Sequence, residues 1–271
     1  MVIMETENGR DYMNIVVQNL GFNYPNGKSI FNNLNFTINK SKVLSILGPN
    51  GVGKTTLLGC IARLYLPSQG DVFFDGKSYL SMTQCEIAQN IGYVPQIIVP
   101  AFNYSVIDYI VTGCAPSMKV FQKPKKEEYD RAWCAVKKLK LEHIAHKSIM
   151  QISGGERQQA AIARVITQKP SFILLDEPAS HLDMGNQMKL LEILNDLAQE
   201  DYGIVMTTHN PDHVFILDDQ VAVLRDEGNL ISGKSRDILN EEFLYGLYGS
   251  KIKVLNIKEL GRMACIAQGI L

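Results

Sequence analysis

Residues 48 to 55 read Gly48-Pro49-Asn50-Gly51-Val52-Gly53-Lys54-Thr55, the spacing G-x-x-x-x-G-K-[ST] of a loop that wraps a polyphosphate. Glycines let the main chain approach phosphate oxygens closely, several N–H groups converge on them, and a helix opening at Lys54 adds the field of its N-terminus. Lys54 is placed to neutralise the β- and γ-phosphates and Thr55 to ligate Mg²⁺. Gly48, Asn50, Gly51, Gly53 and Thr56 supply the rest of the cradle. The plain alternative is a glycine-rich turn that binds nothing; the strand expected before it and the helix after it argue for the cradle.

A second chemical group follows at Phe172-Ile173-Leu174-Leu175-Asp176-Glu177, an apolar strand that delivers two carboxylates at its C-terminal edge. Ligands of open α/β sheets bind at that edge. Asp176 is placed to hold Mg²⁺, and Glu177, one residue on and pointing elsewhere, could polarise an attacking water as general base. The bland reading of either acid is a helix N-cap. His143 and His146 share a helical spacing, but two ligands make no zinc site, and a solvated helix is the expectation.

The elements that must position these groups can be read from periodicity. Residues 12–20 and 34–38 alternate like strands, and 42–47 is a continuous β-prone run ending at the glycine-rich turn. A helix is expected from Lys54 to Leu66, stopping near Pro67. Strands are expected at 71–74 and Ile91–Val94. Residues 96 to 150 change character, with amphipathic patterns such as 129–141 and no convincing strand, and read as an inserted helical lobe. Then come a strand at 171–176, a helix at Met184–Gln199, strands at 204–207 and Gln220–Leu224, a turn at Asp226 to Gly228, and a polar helical tail from about Ser235. Ile252–Ile257 fits a C-terminal strand. Strands alternating with helices imply a mostly parallel α/β sheet, because parallel neighbours need long crossovers.

Bulk properties narrow the class. A chain of 271 residues with 46% hydrophobic composition can bury a large core. Its 27 basic residues face 28 acidic ones, so no global field argues for nucleic acid as a partner. The lysines at 119, 123, 125 and 126 read as a solvated loop. Five scattered cysteines without a C-x-x-C pair suit a reducing compartment. Residues 1–11 lack the order of a secretory signal and are expected to form a loose tail. No apolar run approaches the roughly 18–20 residues needed to cross a bilayer, so the chain is not expected to span a membrane alone.

Ser153-Gly154-Gly155-Glu156-Arg157-Gln158, opening a helix just upstream of the acidic strand, closely resembles the signature motif of ABC-type ATPases. The other motifs of that family occur in its order. Gln96 after Tyr93-Val94-Pro95 resembles the Q-loop, Ser180-His181-Leu182-Asp183 the D-loop, and Thr208-His209 the switch histidine. Tyr24, in Phe22-Asn23-Tyr24-Pro25-Asn26-Gly27, is similar to the aromatic that stacks on adenine. Ile152 stands where leucine is commoner and Glu156 where glutamine is; the serine and glycines are intact.

The resemblance covers about 14–242 and implies a P-loop NTPase fold of the ABC ATPase type. That fold has a RecA-like core, an antiparallel β subdomain and an inserted helical subdomain at about 96–168. The ATPase domain would occupy 12–242, with a C-terminal extension at 243–271. The resemblance further implies ATP with Mg²⁺ and a second copy of the chain. Ser153, Gly154, Gly155 and Asp183 would complete the site of that copy, whose ATP is sandwiched head-to-tail. Glu177, His209 and Gln96 would be catalytic; Thr55, Asp176 and Gln96 would serve the metal, with Gln96 linking it to movement of the helical lobe.

One cassette without a membrane span resembles importer subunits that work beneath two separate transmembrane permease subunits on the cytoplasmic face of the cell membrane, indirectly with an extracytoplasmic substrate-binding protein. Residues 100–113 are similar to the same stretch in ATPases of iron–siderophore, haem and cobalamin importers and of a related molybdate type. Cys114 and His209-Asn210-Pro211 depart from that pattern. A soluble ABC ATPase serving cofactor assembly and a nucleotide-gated scaffold remain open; intact Glu177 and His209 count against the scaffold.

Overall fold

The computed structural model describes residues 13–25, 27–119, 121–225 and 228–267. The tail expected at 1–11, the strand start at Tyr12, and Asn26 and Asp226 lie outside the described residues. The chain begins with β1 (Asn14–Asn23), β2 (Ser29–Asn39), β3 (Val43–Leu47), α1 (Lys54–Ile61), β4 (Gln69–Phe74) and β5 (Lys77–Ser78). It continues through α2 (Gln84–Asn90), β6 (Ile91–Val94), α3 (Val106–Val111), α4 (Lys126–Lys138) and α5 (Gly154–Gln168). Then follow β7 (Phe172–Leu175), α6 (Met184–Gln199), β8 (Gly203–Thr208), α7 (Pro211–Leu217), β9 (Gln220–Leu224) and β10 (Leu230–Lys234). The end holds α8 (Ser235–Ile238), α9 (Glu241–Tyr248), β11 (Ile252–Ile257) and β12 (Arg262–Ala267).

Three sheets result. An antiparallel sheet runs β2-β1-β4-β5, a six-stranded sheet runs β10-β9-β3-β8-β7-β6, and β11 pairs with β12 alone. Within the six, β9, β3, β8, β7 and β6 are parallel and only the edge strand β10 is antiparallel. Every residue of β3, β7 and β8 is buried, which is why these strands read as unbroken apolar runs rather than alternating ones. Their C-terminal ends lie side by side, with Leu47 opposite Thr208 and Leu175 opposite Met206. The loop after β3, Gln96 after β6, the acids after β7 and His209 after β8 therefore emerge on one edge, where parallel sheets place their ligands.

One apolar cluster packs α3, α4, α5 and α6 against the face of the sheet that carries Ile173, Leu175 and Met206. A second joins β1, β2 and α1 to the opposite face through Leu44, Ile46 and Leu174. A third seats the β11–β12 hairpin on Val214, Phe215 and Val221.

Several expectations are corrected. The first helix ends at Ile61 rather than Leu66. Arg63 is left-handed at φ 53, Leu64 and Tyr65 both return their N–H to the Gly59 oxygen, and the Tyr65 ring lies where a Cβ on Gly59 would sit, 2.6 Å away. The chain turns to stack that ring on the helix, leaving Leu64 and Leu66 54% and 66% exposed, so their apolar spacing imitates a further helical turn. The second strand begins at Ser29, not at residue 34. Sequence reading also passed over α2, β10 and β12, and the polar helical tail expected from Ser235 closes in a β-hairpin.

Candidate nucleotide and metal site

The loop between β3 and α1 requires glycine at Gly53, which sits at φ 112 and whose Cβ would lie 2.4 Å from Ile30. Gly53 is also the N-cap of α1, and no side chain caps that helix. Its first amides are thereby left to a ligand, and a helix N-terminus favours an anion. Lys54, 4% exposed, donates from Nζ to the Gly48 and Pro49 oxygens at 2.9 Å each and lies 3.0 Å from Glu177 Oε1. Beyond Glu177, its Oε2 stands 3.1 Å from His209 Nδ1. Burial pushes the Glu177 carboxyl up, but Lys54, by hydrogen bond and charge, and His209 together hold it below the usual glutamate value.

Behind these groups a buried hydroxyl orders both acids. Thr207 Oγ1 accepts the Glu177 N–H at 2.7 Å and donates to Asp176 Oδ1 at 2.7 Å. Asp176 is 2% exposed, yet Lys54 and His209 pair with Glu177 instead, and among the described residues no lysine or arginine forms an ion pair with it. A buried carboxylate without a cationic partner is costly, and its oxygen, the Thr55 hydroxyl and the Gln96 amide are the donor set a hard divalent cation takes. The residues fit Mg²⁺.

Tyr24, Asn50, Gly51, Gly53, Lys54, Thr55, Thr56, Gln96 and Glu177 line one cavity of about 370 Å³, a size that takes a nucleotide. Tyr24, packed edge-on against Phe22, hydrogen-bonds Thr56 Oγ1 at 3.1 Å, so its ring stands over the start of α1 and the Thr56 hydroxyl already has a partner. Gly48 lies under the loop, against the Leu224 oxygen.

Ser153, Gly154, Gly155 and Asp183 stand apart from that cavity. Ser153 caps α5, its hydroxyl accepting from Glu156 N at 3.2 Å while Glu156 reaches back to Ser153 N at 2.8 Å. Asp183 caps α6 through Asn186 N at 2.9 Å. Gly154 lines an adjoining cleft of about 290 Å³ with Gln96, Glu177 and His181. Of the two histidines set aside as zinc ligands, His143 faces Glu156 at 3.4 Å and His146 packs on the Trp133 ring.

Residues 31–180 match the profile of the ABC transporter family. The chain is 39% identical to the molybdate import ATP-binding protein MolC of Haemophilus influenzae, over 86% of this chain and 87% of that relative. The chain belongs to the ABC transporter ATP-binding family. As a member it is an ATPase with the ABC cassette fold. Another relative of this ABC protein is the ferric enterobactin transport ATP-binding protein FepC of Escherichia coli, 30% identical over 84% of each chain. A solved structure described as a metal-chelate type ABC transporter in an inward-facing conformation superposes with a TM-score of 0.83 at 34% identity, over 95% of this chain and 98% of that one.

Sequence reading of this ABC chain missed Thr207, Gln187, His213 and Tyr248, all of which touch the site or its supports. Tyr248 in α9 donates its hydroxyl to the His209 main-chain oxygen at 2.8 Å. None sits at a motif spacing. Thr207 alone left a signal, since two neighbouring parallel strands that both end in polar residues must bring those ends together.

Proposed function

We propose that the chain is the ATP-hydrolysing subunit of an ABC importer. It would work as a head-to-tail dimer on the cytoplasmic face of the membrane beneath two permease subunits, moving a metal chelate or related cargo handed over by an extracytoplasmic binding protein. The observation that carries the reading is the line Lys54–Glu177–His209, with gaps of 3.0 and 3.1 Å, whose first two members line the glycine-loop cavity. The names of MolC, FepC and the metal-chelate structure support the importer assignment.

In this reading Lys54 exchanges the Glu177 carboxylate for β- and γ-phosphate oxygens of ATP. Glu177, still held by His209, then accepts the proton of the attacking water. Asp176, Thr55 and Gln96 would hold Mg²⁺, which would supply charge neutralisation on the phosphates. Tyr24 stacks on adenine. Ser153, Gly154 and Gly155, outside the chain's own cavity, present a helix N-terminus to the γ-phosphate of the second copy, and Asp183 borders the same junction. The γ-phosphate thus glues two copies and its loss frees them.

Glu177→Gln removes the base and keeps the adhesive, so with ATP and Mg²⁺ the variant elutes as a dimer in size-exclusion chromatography and hydrolyses ATP at least about a hundredfold more slowly. Elution as a monomer at saturating ATP refutes the sandwich. A soluble role in cofactor assembly is separated by pull-down from membranes: the importer reading requires a polytopic subunit in the eluate.

A further inference from the structure

The segment after β8 is tied to the start of α6 by a chain of hydrogen bonds that the roles above do not use. His213, 5% exposed in α7, faces Thr208 Oγ1 through Nδ1 at 3.2 Å and Gln187 Oε1 through Nε2 at 3.3 Å. The ends of the chain fix its direction. Gln187 Nε2 donates to the main-chain oxygens of Ala179 at 3.2 Å and Leu182 at 2.9 Å, so the amide oxygen is the atom turned toward His213. His213 Nε2 therefore carries the hydrogen, and Nδ1 of the neutral ring accepts from the Thr208 hydroxyl. Thr208 Oγ1 in turn accepts the Asn210 N–H at 3.0 Å. Burial lowers the His213 imidazole below its usual value and His209 adds to this, while Asp212 opposes; a neutral ring suits both bonds.

The two ends serve different segments. Thr208 and Asn210 flank His209. Ala179 and Leu182 bracket Ser180 and His181, the turn that leads to Asp183. We propose that His213 and Gln187 are positioning residues that make the His209 segment and the 179–183 turn shift as one body. The γ-phosphate contact and the turn offered to the second copy are then set together. A cavity of about 70 Å³ lined by Glu177, Thr208, His209, Gln187 and His213 borders both segments. This inference rests on the nucleotide-sandwich reading.

Steady-state ATP hydrolysis by the full chain tests it, with Gln187→Met, His213→Ala and the double variant. Each single variant lowers kcat about tenfold and leaves the KM for ATP within about twofold, and the double variant is no slower than the slower single one. A role in packing alone would instead move the thermal midpoint and spare kcat of the folded fraction. Gln187 is only half-buried, so Gln187→Met decides the matter where His213→Ala fails to fold. A Gln187→Met kcat within about twofold of the parent, KM rising in step, or effects that multiply in the double variant would overturn the link. Glu177→Gln, run in parallel, separates the two readings. A dimer with ATP alongside an unaffected Gln187→Met sinks the link alone, whereas a monomer sinks the sandwich and the link with it.

Discussion

Glu177 combines a strained main chain with a contested carboxylate. Its φ of 40 is left-handed, a conformation that costs a non-glycine residue about 1–2 kcal/mol, and the Thr207 hydroxyl that accepts its N–H holds it there. Thr207→Val keeps the shape and removes both bonds. The orphaned N–H lowers stability by about 1–3 kcal/mol in chemical denaturation, and Asp176, no longer oriented, raises the Mg²⁺ concentration needed for half-maximal hydrolysis. The Lys54 and His209 contacts make a second prediction. In the free protein they outweigh burial and hold the Glu177 carboxyl low, so the acid limb of kcat/KM lies below the ordinary glutamate value of about 4.3. Once Lys54 turns to phosphate its lowering of the carboxyl is lost, so the acid limb of kcat lies at higher pH than that of kcat/KM. Coincident limbs in a pH–rate study would contradict the exchange. Lys54 was legible in sequence because the phosphate loop dictates its spacing, Glu177 because an apolar strand delivers it at the ligand edge of the sheet, and His209 through the family resemblance alone. His213 and Gln187 were not, because they meet through helix packing, which leaves no fixed spacing, and Thr207 showed only as the polar end of a strand.

Between elements, close approach of main chains decides what is tolerated. Gly113, just after α3, lies so near α5 that a Cβ would stand 2.0 Å from the Arg164 oxygen. A main-chain oxygen cannot swing aside as a side chain does. Gly113→Ala forces α3 off α5 and lowers stability by about 1–3 kcal/mol, read as a drop in thermal midpoint, with ATP affinity of the folded fraction retained. The elements themselves were readable where one physical signal ruled: β7 and β9 as apolar strands, and α6 as a helix over Met184–Gln199. Where tertiary packing overrode the local pattern, as at Tyr65 over Gly59, the boundary was lost. β10 was invisible because an edge strand with burial on neither face has no apolar alternation to show.

At the scale of the whole molecule, the C-terminal hairpin reaches back to the site. Arg262 pairs with Asp212 at 3.1 Å, Cys265 N donates to the same carboxylate at 3.2 Å, and Tyr248 holds the His209 oxygen. Tyr248→Phe loses one hydrogen bond of about 1 kcal/mol, and if that bond fixes His209, kcat falls about fivefold with ATP binding unchanged in a direct titration. Equal losses in binding and turnover would assign Tyr248 to folding alone. The same scale sets how the molecule can deform. Side chains of α3, α4 and α5 share one continuous oily layer with Ile173, Leu175 and Met206 of the sheet, so among the described residues no polar seam parts the lobe from the sheet for it to pivot along like a door. Any excursion of the lobe must instead be a sliding of interlocked surfaces, about 1–2 Å at each contact, and large travel at the lobe's tip has to be accumulated from many such small slips.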